Sequence, residues 1–165
     1  YASVGAFRRA LVAEHDGTRE PERILIADDD PDWREIITAS LATRFPHAVI
    51  DLVGDGVAAL AAFESQPYSV VLLDLEMPEI DGAKLTVLLR SLDASQRTPI
   101  IVLTAAGGPK EWQRLSAIGA DAFLVKPVNA DDVELLIRRT LRSRHASPPS
   151  QREIKVERPS SPTPT

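Results

Sequence analysis

The chain has 165 residues, no cysteine, 44% apolar residues and a formal net charge of −5. That length and apolar content suit one domain with flanking segments, and the acidity argues against duplex DNA or an anionic membrane surface as the main partner. Without cysteine there are no disulfides, no thiolate chemistry and no cysteine-based zinc sites. No apolar run approaches the roughly 18 residues of a membrane span, and the first residues lack the layout of a signal peptide, so a cytoplasmic location is expected. Because the sequence begins with Tyr1, a fragment or processed product is expected.

Val4, Phe7 and Leu11 recur at spacings of three and four, which predicts a short N-terminal helical segment and linker over residues 1–20. Ile24 to Ala27 form a short apolar strand running into Asp28, Asp29 and Asp30, with Asp30 suited to cap a helix and Pro31 to begin it. That helix carries Trp33, Ile36, Ile37, Leu41 and Phe45 on roughly one side and stops before Pro46. A second strand over residues 48–53 is followed by Gly54, Asp55 and Gly56 and an alanine-rich helix from Val57 to about Glu64. The central strand, Ser69 to Leu73, carries the continuous apolar run Val70 to Leu73 that ends in the carboxylate of Asp74, and Pro78 and Gly82 mark the loop beyond it. Leu85, Leu88, Leu89 and Leu92 stripe the next helix, and Pro99 opens a fourth strand ending at Thr104. Gly107, Gly108 and Pro109 lead into a helix from Lys110 to Ile118, Gly119 ends it, and a fifth strand over residues 122–125 is closed by Lys126 and Pro127. A last helix is predicted from about Asp131 to Arg142, with Val133, Leu136, Ile137 and Leu141 facing inward. Residues 144–165 are rich in proline and serine and read as a disordered linker.

The strand-then-helix alternation, five times over, calls for an α/β fold with a parallel sheet covered by helices on both faces. Seven prolines, from Pro31 to Pro127, fall at predicted element boundaries, where a missing N–H costs least. In such a sheet the strand ends share one edge, so Asp28, Asp29, Asp74, Thr104 and Lys126 converge. Carboxylates that close repel unless a divalent cation neutralises them, and a hard-oxygen donor set favours Mg²⁺ or Mn²⁺. Lys126 and Thr104 complete a site for a phosphoryl group, with Asp74 as nucleophile. Each piece also has a plain structural role, since three aspartates after a strand cap a helix equally well.

These motifs, Ile24-Leu25-Ile26-Ala27-Asp28-Asp29-Asp30, Asp74-Leu75-Glu76-Met77-Pro78 with Asp81-Gly82, Leu103-Thr104-Ala105 and Lys126-Pro127, resemble those of the receiver domain of bacterial two-component response regulators. The resemblance covers residues 21–143 as one receiver domain and implies the flavodoxin-like (βα)5 strand order 2-1-3-4-5, which is carried over from the family and not read from the residues. It implies that Asp74 accepts a phosphoryl group from a phosphohistidine on a sensor histidine kinase or a histidine phosphotransfer domain. It further implies that Asp28, Asp29, Asp74 and the backbone carbonyl of Glu76 hold Mg²⁺, with Asp28 acting through metal-bound water, and that Thr104 and Lys126 bind the phosphoryl oxygens. Thr104 and Phe123 match the family's switch residues, although a phenylalanine offers a partner no hydroxyl. Glu76 and Ala106 flank the path of an attacking water.

The only catalysis this reading expects is self-phosphorylation and self-dephosphorylation. Two alternatives stand beside it: a Mg²⁺-dependent phosphatase, and a pseudo-receiver that binds partners without phosphate. The resemblance also places a partner or homodimer surface on the last two helices and fifth strand. Arg138, Arg139, Arg142 and Arg144 crowd the end of the last helix, where cations suit the helix dipole, and no recognition-helix signature accompanies them, so direct nucleic-acid contact is not expected. His15, His47 and His145 are scattered and suggest neither a metal cluster nor a relay histidine.

Overall fold

The computed structural model describes residues 20–93 and 98–146, the side chains of 144–146 excepted. The expected N-terminal helix and the proline- and serine-rich segment after Ala146 lie outside the described residues. Five strands alternate with five helices: β1 (Arg23–Ala27), α1 (Pro31–Arg44), β2 (Val49–Val53), α2 (Gly56–Ser65), β3 (Val70–Asp74), α3 (Gly82–Leu92), β4 (Ile100–Thr104), α4 (Pro109–Ala117), β5 (Ala122–Val125) and α5 (Ala130–Ala146). All neighbouring pairs are parallel and the order is β2-β1-β3-β4-β5, as the resemblance implied.

The sheet separates two apolar layers. Leu25, Val71, Leu73 and Val102 point to one face, where Leu85 and Leu89 of α3, Ala59 of α2 and Leu115 of α4 cover them. Ile24, Ile26, Val70, Leu72 and Ile101 point to the other, under Ile37, Leu41 and Phe45 from the first helical unit and Val133 and Ile137 of α5. β3 and β4 are buried along their whole length, which is why their sequences are unbroken apolar runs rather than alternating ones. At about 1.5–3 kcal/mol for each fully buried Leu, Ile or Val side chain, these two strands make a large part of the apolar contribution.

Local chemistry sets the helix starts. The Asp30 carboxylate accepts from the N–H groups of Asp32 and Trp33, Asp55 from Ala58 and Asp81 from Lys84, so three of the strand-to-helix turns end in an aspartate cap. α4 starts instead at Gly108, with φ 123° and no side-chain cap.

Three sequence expectations need correction. Ile36 does not join the buried stripe of α1; it is 66% exposed, because the helix turns Ile37, Leu41 and Phe45 to the sheet and leaves Ile36 on the outer side. Leu92 is likewise exposed at the end of α3. The last helix runs through Ala146, beyond the expected end at Arg142 and into the first residues assigned to the linker, since nothing between Arg142 and Ala146 breaks a helix.

Candidate functional site

Parallel pairing brings the carboxyl ends of β1, β3, β4 and β5 to one edge. Asp28 follows the last residue of β1, Asp74 ends β3 and pairs in register with Leu103, Thr104 ends β4 beside Val125, and Lys126 follows β5. One carboxylate oxygen from each of Asp28, Asp29 and Asp74 lies within 4.8 Å of the others. Asp28 and Asp74 are buried while Asp29 is exposed, so the cluster has a floor and an open side.

Lys126 Nζ sits 3.0 Å from Asp74 Oδ1 and 3.9 Å from Asp28 Oδ2. Burial works against the ammonium, but the hydrogen bond to Asp74 and the charges of Asp74, Asp28 and Glu76 outweigh it and hold its pKa above the ordinary lysine value. Asp28 moves up as well: burial is the main cause, the charges of Asp74 and Asp29 add to it, and the N–H of Asp30 and the charge of Lys126 oppose it. Asp28 Oδ1 accepts from Asp30 N at 2.9 Å, whereas Oδ2 is buried with no hydrogen-bond partner. Lys126 Nζ at 3.9 Å is too far to hydrogen-bond it, and a buried acceptor left without a bond costs about 1–3 kcal/mol. The residues therefore fit a divalent cation, with three hard carboxylates, one oxygen otherwise unsatisfied, and room on the exposed side for water or a phosphoryl oxygen.

The loop after Asp74 is braced by backbone and by small residues. Glu76 N donates to Asp74 Oδ1 at 3.3 Å, and Gly82 N donates to Leu75 O at 2.8 Å. A Cβ on Gly82 would overlap the Asp74 carbonyl oxygen and come within 2.6 Å of Leu75 Cα, so only glycine lets α3 start this close to the end of β3. Glu79, at φ 68°, occupies the left-handed region at the tip of the loop.

Two expected residues stand apart from the carboxylates. The Thr104 hydroxyl is buried and exchanges hydrogen bonds with the backbone of Ala106, accepting from its N–H and donating to its carbonyl, both at 3.1 Å. Phe123 lies in the middle of β5 opposite Val102, half-buried, and its ring stacks on Trp112 of α4 with centroids 5.5 Å apart and planes 17° from parallel. Sequence reasoning missed Trp112. Its signal was faint, an indole on α4 eleven residues before Phe123, and only the packing of α4 over β5 makes the pair. The Lys126–Pro127 peptide is cis.

Among the described residues no helix is long and apolar enough to cross a membrane. The family model of the response regulator receiver domain matches residues 24–138. The chain is 37% identical over 120 residues to the transcriptional regulatory protein TcrA of Mycobacterium tuberculosis, covering 70% of this chain and 44% of that protein. Among solved structures, the chemotaxis response regulator CheY4 of Vibrio cholerae aligns with a TM-score of 0.67 at 27% identity, covering 72% of this chain and 98% of the other. The receiver domain of sensor histidine kinase PA1611 from Pseudomonas aeruginosa PAO1, which has a magnesium ion coordinated in its active-site cleft, aligns at 0.64 with 29% identity, covering 73% and 97%. The chain spans between 13% and 55% of the length of the first relatives it matches. The motif order, the strand order and the matched residues together make the conclusion plain: the chain belongs to the response regulator receiver domain family.

Proposed function

We propose that this chain is a phosphoacceptor switch in which Asp74 receives a phosphoryl group from the phosphohistidine of a histidine kinase or histidine phosphotransfer domain. The observation that carries the reading is the 3.0 Å contact of Lys126 Nζ with Asp74 Oδ1 at the carboxyl edge of the sheet, beside two further carboxylates. An Asp74 carboxylate oxygen attacks phosphorus, the P–N bond to the donor imidazole breaks, and its electron pair leaves with the imidazole. Lys126 then turns its charge from the carboxylate to the phosphoryl oxygens. Asp28, Asp29, Asp74 and the backbone carbonyl of Glu76 would hold Mg²⁺, or Mn²⁺. When bound, the ion supplies positive charge that screens the carboxylates and the phosphoryl oxygens from one another.

The output follows from what Thr104 and Phe123 must give up. To donate to a phosphoryl oxygen, the Thr104 hydroxyl leaves its bonds with Ala106. A Phe123 ring that turns toward the space so opened leaves its stack on Trp112. Phosphorylation selects the rearranged conformer because it binds that conformer better, and a shift from about 1:99 to 99:1 needs a differential of roughly 5.5 kcal/mol. Two or three charge-assisted hydrogen bonds, at about 1.5–3 kcal/mol each, are of that size. The face formed by α4, β5 and α5 carries exposed Val125 and Leu135 and is where a partner reads the change.

The test is intact mass after incubation with Mg²⁺ and acetyl phosphate, with Asp74→Asn alongside. Gain of one phosphoryl group by the parent alone is expected. An equal gain by Asp74→Asn would refute the assignment, and no gain from acetyl phosphate or from any of a panel of phosphorylated histidine kinases would leave a phosphate-independent interaction module.

A further inference from the structure

The other side of the molecule carries a surface that the phosphoacceptor site does not use. Among the described residues β2 is one of the two edge strands, bonded only to β1, so one side of its backbone has no strand beside it. Exposed edges are ordinarily blunted by a lysine, a proline, a bulge or short length. β5, the opposite edge, has four residues and runs straight into Lys126 and Pro127. β2 has five, and the one charge among them is already spent: Asp51 Oδ2 accepts from Arg23 Nη1 at 2.8 Å, Tyr68 Oη at 2.7 Å and Gln66 Nε2 at 3.0 Å. What remains outward is apolar, with Val49 46% and Leu52 40% exposed.

Beside this edge runs a groove of about 550 Å³ between β2 and the flank of α1, lined by Pro31, Arg34, Glu35, Thr38, Ala39 and Leu52. The Arg34 guanidinium lies over Gly54, where a Cβ would approach Nη1 to 2.9 Å. Among the described residues neither the Arg34 guanidinium nor the Glu35 carboxylate has a hydrogen-bond or ion-pair partner. The α1 wall of the groove thus holds one cation and one anion side by side, facing Leu52 of β2.

We propose that this chain pairs with a second copy of itself through β2 and the adjoining flank of α1. A patch that meets its own image must be self-complementary, and a wall bearing one charge of each sign satisfies that condition where a single-sign wall would not. A two-fold axis normal to the sheet makes the β2 strands antiparallel and sets the two α1 helices side by side on one face. Centring the pair on Leu52 places each Leu52 against its image and Asp51 opposite the partner's Val53, which keeps the two Asp51 carboxylates from facing one another. Arg34 of each copy then meets the partner's Glu35, and the unpaired β2 backbone groups find partners. β2 is separated from β3 by β1, so the contact forms independently of the state of Asp74.

The experiment is sedimentation equilibrium of the 165-residue chain over micromolar to millimolar concentrations, with circular dichroism to verify folding. The parent is expected to rise from 18.0 kDa toward twice that mass. Leu52→Lys, a charge placed on a side chain already 40% exposed, is expected to raise the dimer dissociation constant at least about tenfold. Arg34→Glu and Glu35→Arg each weaken the dimer, and the Arg34→Glu/Glu35→Arg swap restores most of the loss, an outcome that general damage to the fold does not produce. Leu135→Lys on α5 leaves the dimer intact. A strictly monomeric parent overturns the proposal, as does a dimer indifferent to Leu52→Lys and to the single reversals. A dimer lost only with Leu135→Lys also overturns it, by placing the contact on α5. Asp74→Asn is expected to dimerise like the parent, so a failure of phosphoryl uptake and a failure of this interface are read separately.

Discussion

Arg90, at the sheet edge opposite the carboxylates, is the place where a single substitution is expected to do the most damage to the fold. From α3 its Nη2 reaches Asp121 Oδ2 at 2.6 Å, its Nη1 donates to Thr98 O at 2.6 Å and its Nε to Gly119 O at 2.9 Å. One side chain thereby ties the end of α3 to the approach to β4 and to the turn between α4 and β5. Arg90 and Asp121 are only 11% and 7% exposed, and Asp121 Oδ2 also accepts from Ile100 N at 2.9 Å, so its carboxylate cannot turn away to water without releasing the first residue of β4. Replacing Arg90 by Leu keeps much of the stem but strips the cation from the nearly buried carboxylates of Asp121 and, at 3.4 Å, Asp93, which costs about 3–5 kcal/mol. Set against a total stability of about 5–15 kcal/mol for a domain of this kind, that is a large share. Urea unfolding followed by circular dichroism measures it, with the m-value expected to stay unchanged. Pairing the change with Asp121→Asn tests the charge pairing: because the carboxylate at 2.6 Å from the guanidinium is then neutral, the double variant is expected to recover about 1–3 kcal/mol relative to the sum of the single changes. Phosphoryl uptake by folded Arg90→Leu protein is expected to persist, because the clasp lies at the other end of the strands from Asp74. A cost below about 1 kcal/mol, or strict additivity with Asp121→Asn, would refute the reasoning.

Asp28→Asn removes the orphaned Oδ2 charge, so without metal the variant is expected to be more stable than the parent by about 1 kcal/mol, while the rise in Tm with Mg²⁺, about 2.7 kcal/mol in free energy at a hundredfold excess over Kd, is largely lost; an undiminished rise would count against the site. Tyr68 is held above its ordinary pKa of 10.0 by burial, then by its hydrogen bond to Asp51, so its neutral form contributes stability in full below about pH 10 that disappears as pH climbs through the raised folded value. Tyr68→Phe is therefore expected to cost about 1.5–3 kcal/mol at neutral pH and to flatten the alkaline limb of a stability–pH curve; an unchanged limb would show that another group titrates. Gly82→Ala pushes a methyl group into the Asp74 backbone and is expected to lower stability by at least about 2 kcal/mol and slow acetyl phosphate uptake, with normal kinetics as the contrary result. Glu79→Gly relieves the left-handed backbone at φ 68° but loosens the unfolded chain, for a net gain of about 0–1 kcal/mol, and a clear loss in the urea midpoint would contradict it.

The sequence by itself determined the alternation of strands and helices, the aspartate cap at Asp30 and the set of groups that meet at the carboxyl edge. Those features are local: an apolar run of four or five residues ending in a carboxylate, a proline at an element boundary and a helix stripe can each be read within a dozen residues. Parallel pairing then follows from the connections, and it obliges Asp28, Asp74, Thr104 and Lys126 to share an edge before any distance is known. Only the tertiary structure decided what depends on neighbours far apart in the chain. The periodicity of α1 assigned Ile36 and Ile37 to the same stripe, and the angle at which the helix meets the sheet separated them into exposed and buried. Trp112 became relevant because α4 crosses β5 at the height of Phe123, and Asp51 lost its value as an edge guard because Arg23, Tyr68 and Gln66 all converge on it. Likewise the buried oxygen of Asp28 has no signature in a run of three aspartates, since which of the three turns inward is set by the register of β1 between β2 and β3. Contacts within a turn are written in adjacent residues; contacts between elements depend on how the layers pack, and that geometry is shared among residues too distant in sequence for any local pattern to record.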